Sequence, residues 1–355
     1  MAPGAVVVGS GFGCRVHVPA LRAAGFDVLA LVGRDEERTT RRAARLDIPV
    51  GTTDLSAALA LHGVDGVTIA TPPGTHAEIA IAAALAGKHV LCEKPFALDA
   101  VEAAAMLVAA EGAGVTHLVG HEFRWAPERA TVGRAIRDGA VGEPRLATFV
   151  QYVPLVADPS TPVPQWWFDE SAGGGWLGAS GSHVVDQIRT WLGEIVEVAA
   201  TLSVVSDRHD VAEDSFTIRF RLASGAEGVL QQTAAAWGPY AGITAVAGTR
   251  GTAWIDGSEP WIADADGARP LEVPQDLALP AGPAESDDPR HRFTHLELAP
   301  FAALCEVLRA GVEGAAPPDA VPIPTFRDGV AEMRVLDAVR ASAANAGTVT
   351  PVGDA

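Results

Sequence analysis

Short apolar runs alternate with amphipathic stretches through the first third of the chain. "AVVVG" at 5–9 is β-branched and wholly apolar, as suits a strand buried on both faces. A helical pattern over about 14–24 follows, then a second strand, "DVLALVG", at 27–33. Residues 36–45 predict a charged helix with Asp35 as its N-cap. "GVTIAT" at 66–71 is a strand ended by Pro72 and Pro73, and "HAEIAIAAALAG" at 76–87 is a helix closed by Gly87. "HVLCEKP" at 89–95 is the next strand, Asp99 opens a helix toward Glu111, and "THLVG" follows at 116–120. Strands alternating with helices predict a parallel sheet covered on both faces.

The pattern then changes. The runs at 145–153, 195–205, 214–222 and 226–234 are strands with shorter connections, and 242–257 forms a hairpin around Gly248–Gly251. Several alternate apolar with polar positions, as half-exposed antiparallel strands do. The fold class is therefore α/β: a parallel-sheet domain over 1–122, and over 123–355 an α+β domain with an open, mostly antiparallel sheet carrying helices on one face. Residues 274–292, proline-rich and acidic, read as a loop, and a last helix over about 326–345 packs on either domain.

Composition narrows the class. At 355 residues and 48% hydrophobic content, the chain suits two globular domains. A formal charge of −18 argues against a nucleic-acid partner. Cys14, Cys92 and Cys305 are odd in number and widely spaced, which fits neither a disulfide framework nor a zinc cluster and favours a reducing compartment. There is no signal-peptide pattern and no apolar run of ~18 residues, so no membrane span is expected and a cytoplasmic location follows.

The first strand runs into "GSGFGCRVHVPAL". Strand, glycines, then helix is the context of a Rossmann dinucleotide fingerprint. Gly9 makes the tight turn, Gly11 lets backbone approach a pyrophosphate, and Phe12 and Gly13 continue the loop; the third fingerprint position holds Cys14. A purely structural turn would look similar. The end of the second strand should choose the cofactor. NAD enzymes place a carboxylate there for the ribose hydroxyl, but here Gly33 stands at that position, followed by Arg34, with Arg38 one turn on. Arginines suit a 2′-phosphate, so NADP is favoured. Under the rival reading Asp35 binds the ribose of NAD.

Lys88 and Lys94 are the two lysines among 26 cationic residues. Arginine solvates and pairs equally well, but only an amine can lose its proton in a usable range. Either composition alone or proton chemistry accounts for them.

"GSGFGCRVHVPAL", "ATPPGTHAEIA", "HVLCEKPF" and "GGGWLGASGSHVVD" resemble, in order and approximate spacing, the Gfo/Idh/MocA oxidoreductases, relatives of glucose–fructose oxidoreductase and inositol dehydrogenase. The resemblance covers nearly the whole chain, and the Glu-Lys-Pro motif is its most specific part. It implies an N-terminal Rossmann domain, a C-terminal open-sheet domain, hydride chemistry with NAD(P) on a sugar, polyol or glycoside carbon, and a homodimer or homotetramer built on the exposed sheet. It makes Lys94 the lysine that meets the substrate hydroxyl and the nicotinamide ribose. The residues agree: a lysine at the carboxyl end of a parallel strand faces the crevice where ligands bind, and burial and a nicotinamide cation both favour its neutral form. Glu93 contacts cofactor, orients Lys94, or forms a structural ion pair. A cis bond can form at Pro95. Lys88 is expected in solvent.

In the family a histidine acts as acid or base and follows an aspartate by four residues. Here His183 has that place but Ala179 stands where the aspartate would be. Asp186, on the same helix face as His183, either substitutes, binds a sugar hydroxyl or caps a turn. Gly173–Gly175 suit a close backbone approach. Glu122 and Arg124 either line the substrate site or pair at a domain link, and Thr71, Pro72 and His76 belong to the loop that covers the nicotinamide. Trp166, Trp167 and Trp176 suit either a sugar face or packing. His291 and His295 lack a carboxylate with ligand spacing, so no metal is expected. The expected chemistry is hydride transfer, with Lys94 and His183 managing the substrate proton. Redox-neutral glycoside cleavage and a regulator without turnover remain the alternatives.

Overall fold

The computed structural model describes residues 2–288 and 291–353. It divides into two compact units, Met1–Ala126 with Leu279–Val330, and Pro127–Ala278 with Ala331–Ala355. The single break expected at 122 is thus corrected. The first break lies four residues later, and the chain returns to the first unit before its end. The reason is the helix Thr294–Val312. It buries Phe301, Leu304, Cys305 and Leu308 completely, and packs on Val18–Ala23 and on the turn Glu122–Trp125.

The first unit holds six parallel strands: β1 (Gly4–Val8), β2 (Asp27–Val32), β3 (Val50–Thr52), β4 (Val64–Ile69), β5 (His89–Cys92) and β6 (His117–Val119), in the order β3-β2-β1-β4-β5-β6. All five residues of β1 are buried, which follows from helices covering both faces. The order reverses between β1 and β4, the switch point at which such sheets open a crevice beyond their carboxyl ends. Strand β3 and the helix Leu55–Leu59 were not anticipated, being too short to show a period.

The second unit is a nine-stranded sheet. Its strands are β7 (Pro144–Tyr152), β8 (Ile195–Ser203), β9 (Ser215–Leu222), β10 (Glu227–Thr233), β11 (Ala241–Gly248), β12 (Thr252–Asp256), β13 (Glu259–Asp264), β14 (Gly267–Pro270) and β15 (Thr350–Pro351), ordered β14-β13-β12-β11-β7-β10-β9-β8-β15. Only the β7–β10 pair is parallel among the described ladders of this sheet. Alternation sets its faces. Ala200, Ile218, Leu230 and Phe149 align across four strands and are all buried. Phe149 meets Trp191 of the helix Ser182–Leu192, ring centroids 6.0 Å apart. The next row outward, Thr217, Gln231, Val150 and Ile243, is half-buried to exposed. The hairpin turn at Gly248–Gly251 is closed by Gly248 N donating to Gly251 O at 2.8 Å. Within 274–292 the only regular element among the described residues is the short turn Gln275–Leu277; Pro289 and Arg290 lie outside those residues.

Candidate active site

The glycine loop has the shape a dinucleotide needs. Gly9 sits at φ +113°, and a β-carbon there would stand 2.3 Å from the Ala70 carbonyl oxygen. Gly11 is exposed, with nothing within 4 Å of where its β-carbon would be, so its backbone is open to a pyrophosphate. At Gly13 a β-carbon would lie 2.8 Å from Val7 Cγ1. The close helix–strand approach therefore falls on Gly13, and Cys14 is half-buried beside it. The following turn is a wide one, with Val18 N donating to Gly13 O. Such turns recur at functional sites. Arg42 donates to the Ser10 carbonyl and, at 3.1 Å, to Ser10 Oγ, pinning the loop from the helix Glu36–Arg45. The sequence pattern did not single out Arg42.

At the end of β2 a β-carbon on Gly33 would lie 2.2 Å from Thr39 Oγ1. Asp35 is engaged as the N-cap, Oδ1 accepting from Arg38 N at 2.7 Å. Arg34 and Arg38 are exposed, and neither guanidinium has a partner among the described residues.

Beyond β5 the Lys94–Pro95 peptide is cis. Lys94 is half-buried, and Glu93 is 6% exposed. Glu93 Oε1 lies 3.1 Å from Nε2 of the fully buried His17, and its Oε2 accepts from Lys94 N at 3.3 Å. A β-carbon at Gly120 would come within 2.9 Å of Glu93 Oε1, so the glycine makes room for this carboxylate. His17 stacks on Phe301 at 4.3 Å and meets Phe12 edge-on at 5.4 Å. Glu122 is 2% exposed; burial, then repulsion from Glu93 and Glu297 partly offset by Lys94, holds its carboxyl well above the usual range. Glu297, on the helix Thr294–Val312, is pushed up to about 7 by burial, against the pull of Arg15 and Lys94. Its Oε2 is 3.5 Å from Arg15 Nη2. His17, Gly120 and Glu297 were missed because each acquires its role only from neighbours distant in sequence.

Of the two roles left open for Arg124, an ion pair is present: its guanidinium donates to Asp328 Oδ1 at 2.9 Å and to the Pro322 carbonyl at 3.1 Å, tying together segments of one unit. Two other expectations on this unit are corrected. His76 does not offer its ring to a cofactor. It is fully buried, with Nε2 2.9 Å from the Thr71 carbonyl oxygen and Nδ1 3.2 Å from that of Phe96. It positions the Thr71–Pro72 loop instead, where Thr71 Oγ1 also accepts from Thr75 Oγ1 at 2.8 Å. Lys88 is likewise not free in solvent, since its Nζ donates to the Val64 carbonyl at 2.9 Å.

In the second unit His183 and Asp186 lie on the helix Ser182–Leu192, His183 half-buried and Asp186 2% exposed. Ala179 falls in the wide turn Leu177–Gly181, where Ser182 N donates to Leu177 O. The preceding glycines serve packing. A β-carbon at Gly174 would stand 2.2 Å from the Trp166 carbonyl oxygen, and one at Gly175 2.2 Å from Glu213 Oε1. Trp176 is 8% exposed, with its ring 6.0 Å from that of Trp167, and its indole N–H meets no acceptor among the described residues. No group of three or more His, Cys, Asp or Glu side chains among the described residues is arranged to hold a metal. No described helix is long and apolar enough to cross a membrane.

Residues 4–121 match the family model described as "Oxidoreductase family, NAD-binding Rossmann fold", and residues 130–254 match "GFO/IDH/MocA C-terminal domain". The chain belongs to the Gfo/Idh/MocA oxidoreductases. This member is 33% identical over 228 residues to a D-apiose dehydrogenase of Paraburkholderia graminis, a match covering 63% of this chain and 58% of that one. It is 38% identical over 170 residues to a levoglucosan dehydrogenase of Pseudarthrobacter phenanthrenivorans, covering 47% and 43%. The matched part thus spans about half the length of these curated relatives. A solved levoglucosan dehydrogenase in complex with NADH and levoglucosan superposes with a TM-score of 0.85 at 26% identity, over 99% of this chain and 100% of that one.

Proposed function

We infer that this Gfo/Idh/MocA member is an NAD(P)-dependent dehydrogenase acting on a hydroxyl or carbonyl carbon of a sugar, polyol or glycoside. The observation that carries the reading is Lys94, half-buried just beyond the carboxyl end of a parallel strand, with its charge felt by the buried carboxyl groups of Glu122 and Glu297. Gly9, Gly11, Phe12 and Gly13 hold the cofactor's pyrophosphate, and the Thr71–Pro72 loop borders its nicotinamide. The nicotinamide, when bound, supplies the hydride acceptor or donor. Lys94 Nζ takes the proton of the substrate hydroxyl in oxidation and returns it in reduction. Glu93, held by His17, fixes the turn that aims Lys94. His183 takes the second proton-handling role on the family pattern, and Asp186 supports it in place of the missing aspartate. The sugar dehydrogenases among the relatives support the substrate class.

NADP is the preferred cofactor on this reading, supported by the blocked position at Gly33, the engaged Asp35 and the two exposed arginines. A homodimer or homotetramer joined through the bare sheet face is supported by exposed Leu146, Tyr152 and Ile243 on it. Sedimentation equilibrium reads the assembly, and a monomeric mass removes that part of the reading. The function itself is tested by following nicotinamide absorbance over a panel of free and anhydro sugars and polyols with each cofactor. Tight cofactor binding with no turnover of any of them would sink it.

A further inference from the structure

Glu213 stands one residue before Asp214, whose buried carboxylate locks the start of β9. Asp214 Oδ1 accepts from Val205 N and from Ser215 Oγ, each at 2.8 Å, and its Oδ2 accepts from Ser206 N at 3.0 Å. The Glu213 side chain therefore starts from a fixed sheet edge, and it reaches the chain that leads to His183. Glu213 Oε1 accepts from Leu177 N at 3.0 Å, and the Glu213 carbonyl accepts from Trp176 N at 2.8 Å. Gly175 lies at φ +110°, and a β-carbon there would stand within 2.6 Å of both Glu213 carboxylate oxygens, so the glycine is what admits them.

Leu177 is also the first residue of the wide turn Leu177–Gly181. Its carbonyl accepts from Ser182 N, and Ser182 Oγ donates to the Gly178 carbonyl at 2.6 Å. Ser182 is fully buried and immediately precedes His183. A helical run leaves its first N–H groups without an internal acceptor, and Leu177, 1% exposed, is shut off from water. The outside carboxylate supplies what that N–H lacks. Each residue turns a helix by about 100°. The wide turn holds one residue more than an α-turn, so whether it persists decides which way His183 faces.

Resting on the dehydrogenase reading above, we propose that Glu213 is the positioning residue of His183: by holding Leu177 N it keeps the wide turn in place and so fixes the direction in which the imidazole meets the substrate. The acceptor and its reach matter here, more than charge in itself. Burial pushes the Glu213 carboxyl up, and the Leu177 N–H is the foremost influence holding it down, ahead of its own backbone N–H and of Arg340, while Glu170 adds to the rise. The carboxylate is thus tied to the turn more closely than to any neighbouring charge.

Two variants separate reach from charge. Glu213→Asp keeps the charge but falls short of Leu177 N. Glu213→Gln keeps the reach and an acceptor oxygen. The ring proton–carbon correlations of the histidines are recorded by NMR on the full chain, with His183→Gln identifying the His183 peak. Glu213→Asp should move that peak while those of His17 and His76, in the first unit, stay in place. Glu213→Gln should bring it back toward the wild-type position. Turnover on a sugar from the panel should follow the same order: kcat falls by about 10²-fold in Glu213→Asp, the cost of a misplaced catalytic group, and largely recovers in Glu213→Gln, with KM for the cofactor unmoved. An unmoved His183 peak in Glu213→Asp, or an equal shift in Glu213→Gln, overturns the positioning role and leaves the dehydrogenase reading intact. Cofactor binding without turnover in the wild type sinks the dehydrogenase reading, and the spectra, which need no substrate, still decide whether Glu213 sets the ring.

Discussion

Thr39 Oγ1 occupies the space that a side chain at residue 33 would need, 2.2 Å from where a β-carbon on Gly33 would stand. Residue 33 is where an NAD enzyme carries its ribose-binding acid. Gly33→Asp should therefore destabilise the protein without creating NAD selectivity, unless Thr39 is made smaller at the same time. Arg34→Ala should weaken NADP(H) selectively, by about 1.5–3 kcal/mol for a lost charged hydrogen bond. Dissociation constants for both cofactors check this. Tighter NAD(H) binding by the wild type would reverse the assignment.

Lys94→Arg should lose turnover as severely as Lys94→Ala, by ~10²–10⁴-fold, because arginine keeps the charge but cannot release a proton near neutral pH. Cofactor affinity is measured alongside. A loss confined to cofactor affinity would make Lys94 a ribose clamp. Lys88→Arg should stay within about 0.5 kcal/mol of wild-type stability, since a guanidinium can still donate to the Val64 carbonyl.

His76 hangs between the carbonyl oxygens of Thr71 and Phe96, yet a neutral ring has one N–H to give. Burial lowers its pKa from 6.5, so the folded state resists the proton that would satisfy both. The unfolded chain then takes up a proton first as pH falls below 6.5. Stability from this group is complete above that value and is lost on acidification toward the depressed folded pKa. His76→Gln does not titrate, so the melting-temperature advantage of wild type over the variant should shrink as pH is lowered through that window. A pH-independent difference would show that the ring is not held neutral.

Arg124 is 4% exposed at its side chain and pairs with Asp328, so Arg124→Gln should remove about 3 kcal/mol of stability by breaking a largely buried ion pair. Urea denaturation reads this, and KM should not move. A raised KM with intact stability would return Arg124 to the substrate site.

Much of this was open to a local reading. A β-branched run such as 5–8, followed by glycines and a helical pattern, suits a buried strand, and Asp35 could be recognised as a cap from its place before Glu36–Arg45. The glycine turn, the lysine at a strand end and the alternation of the second sheet are all properties of a few consecutive residues and can be read from them directly. Where distant groups meet is set by packing. Arg124 reads as a polar candidate until Asp328 takes its guanidinium, and His76 as a ligand until two carbonyls enclose it. Glu297 lies in a helix whose packing partner no local period reveals, and its carboxyl departs from ordinary behaviour because Glu93, Lys94, Arg15 and the surrounding burial act on it together. Periodicity is written in neighbouring residues; desolvation and charge are fixed by whatever the fold brings within a few ångströms.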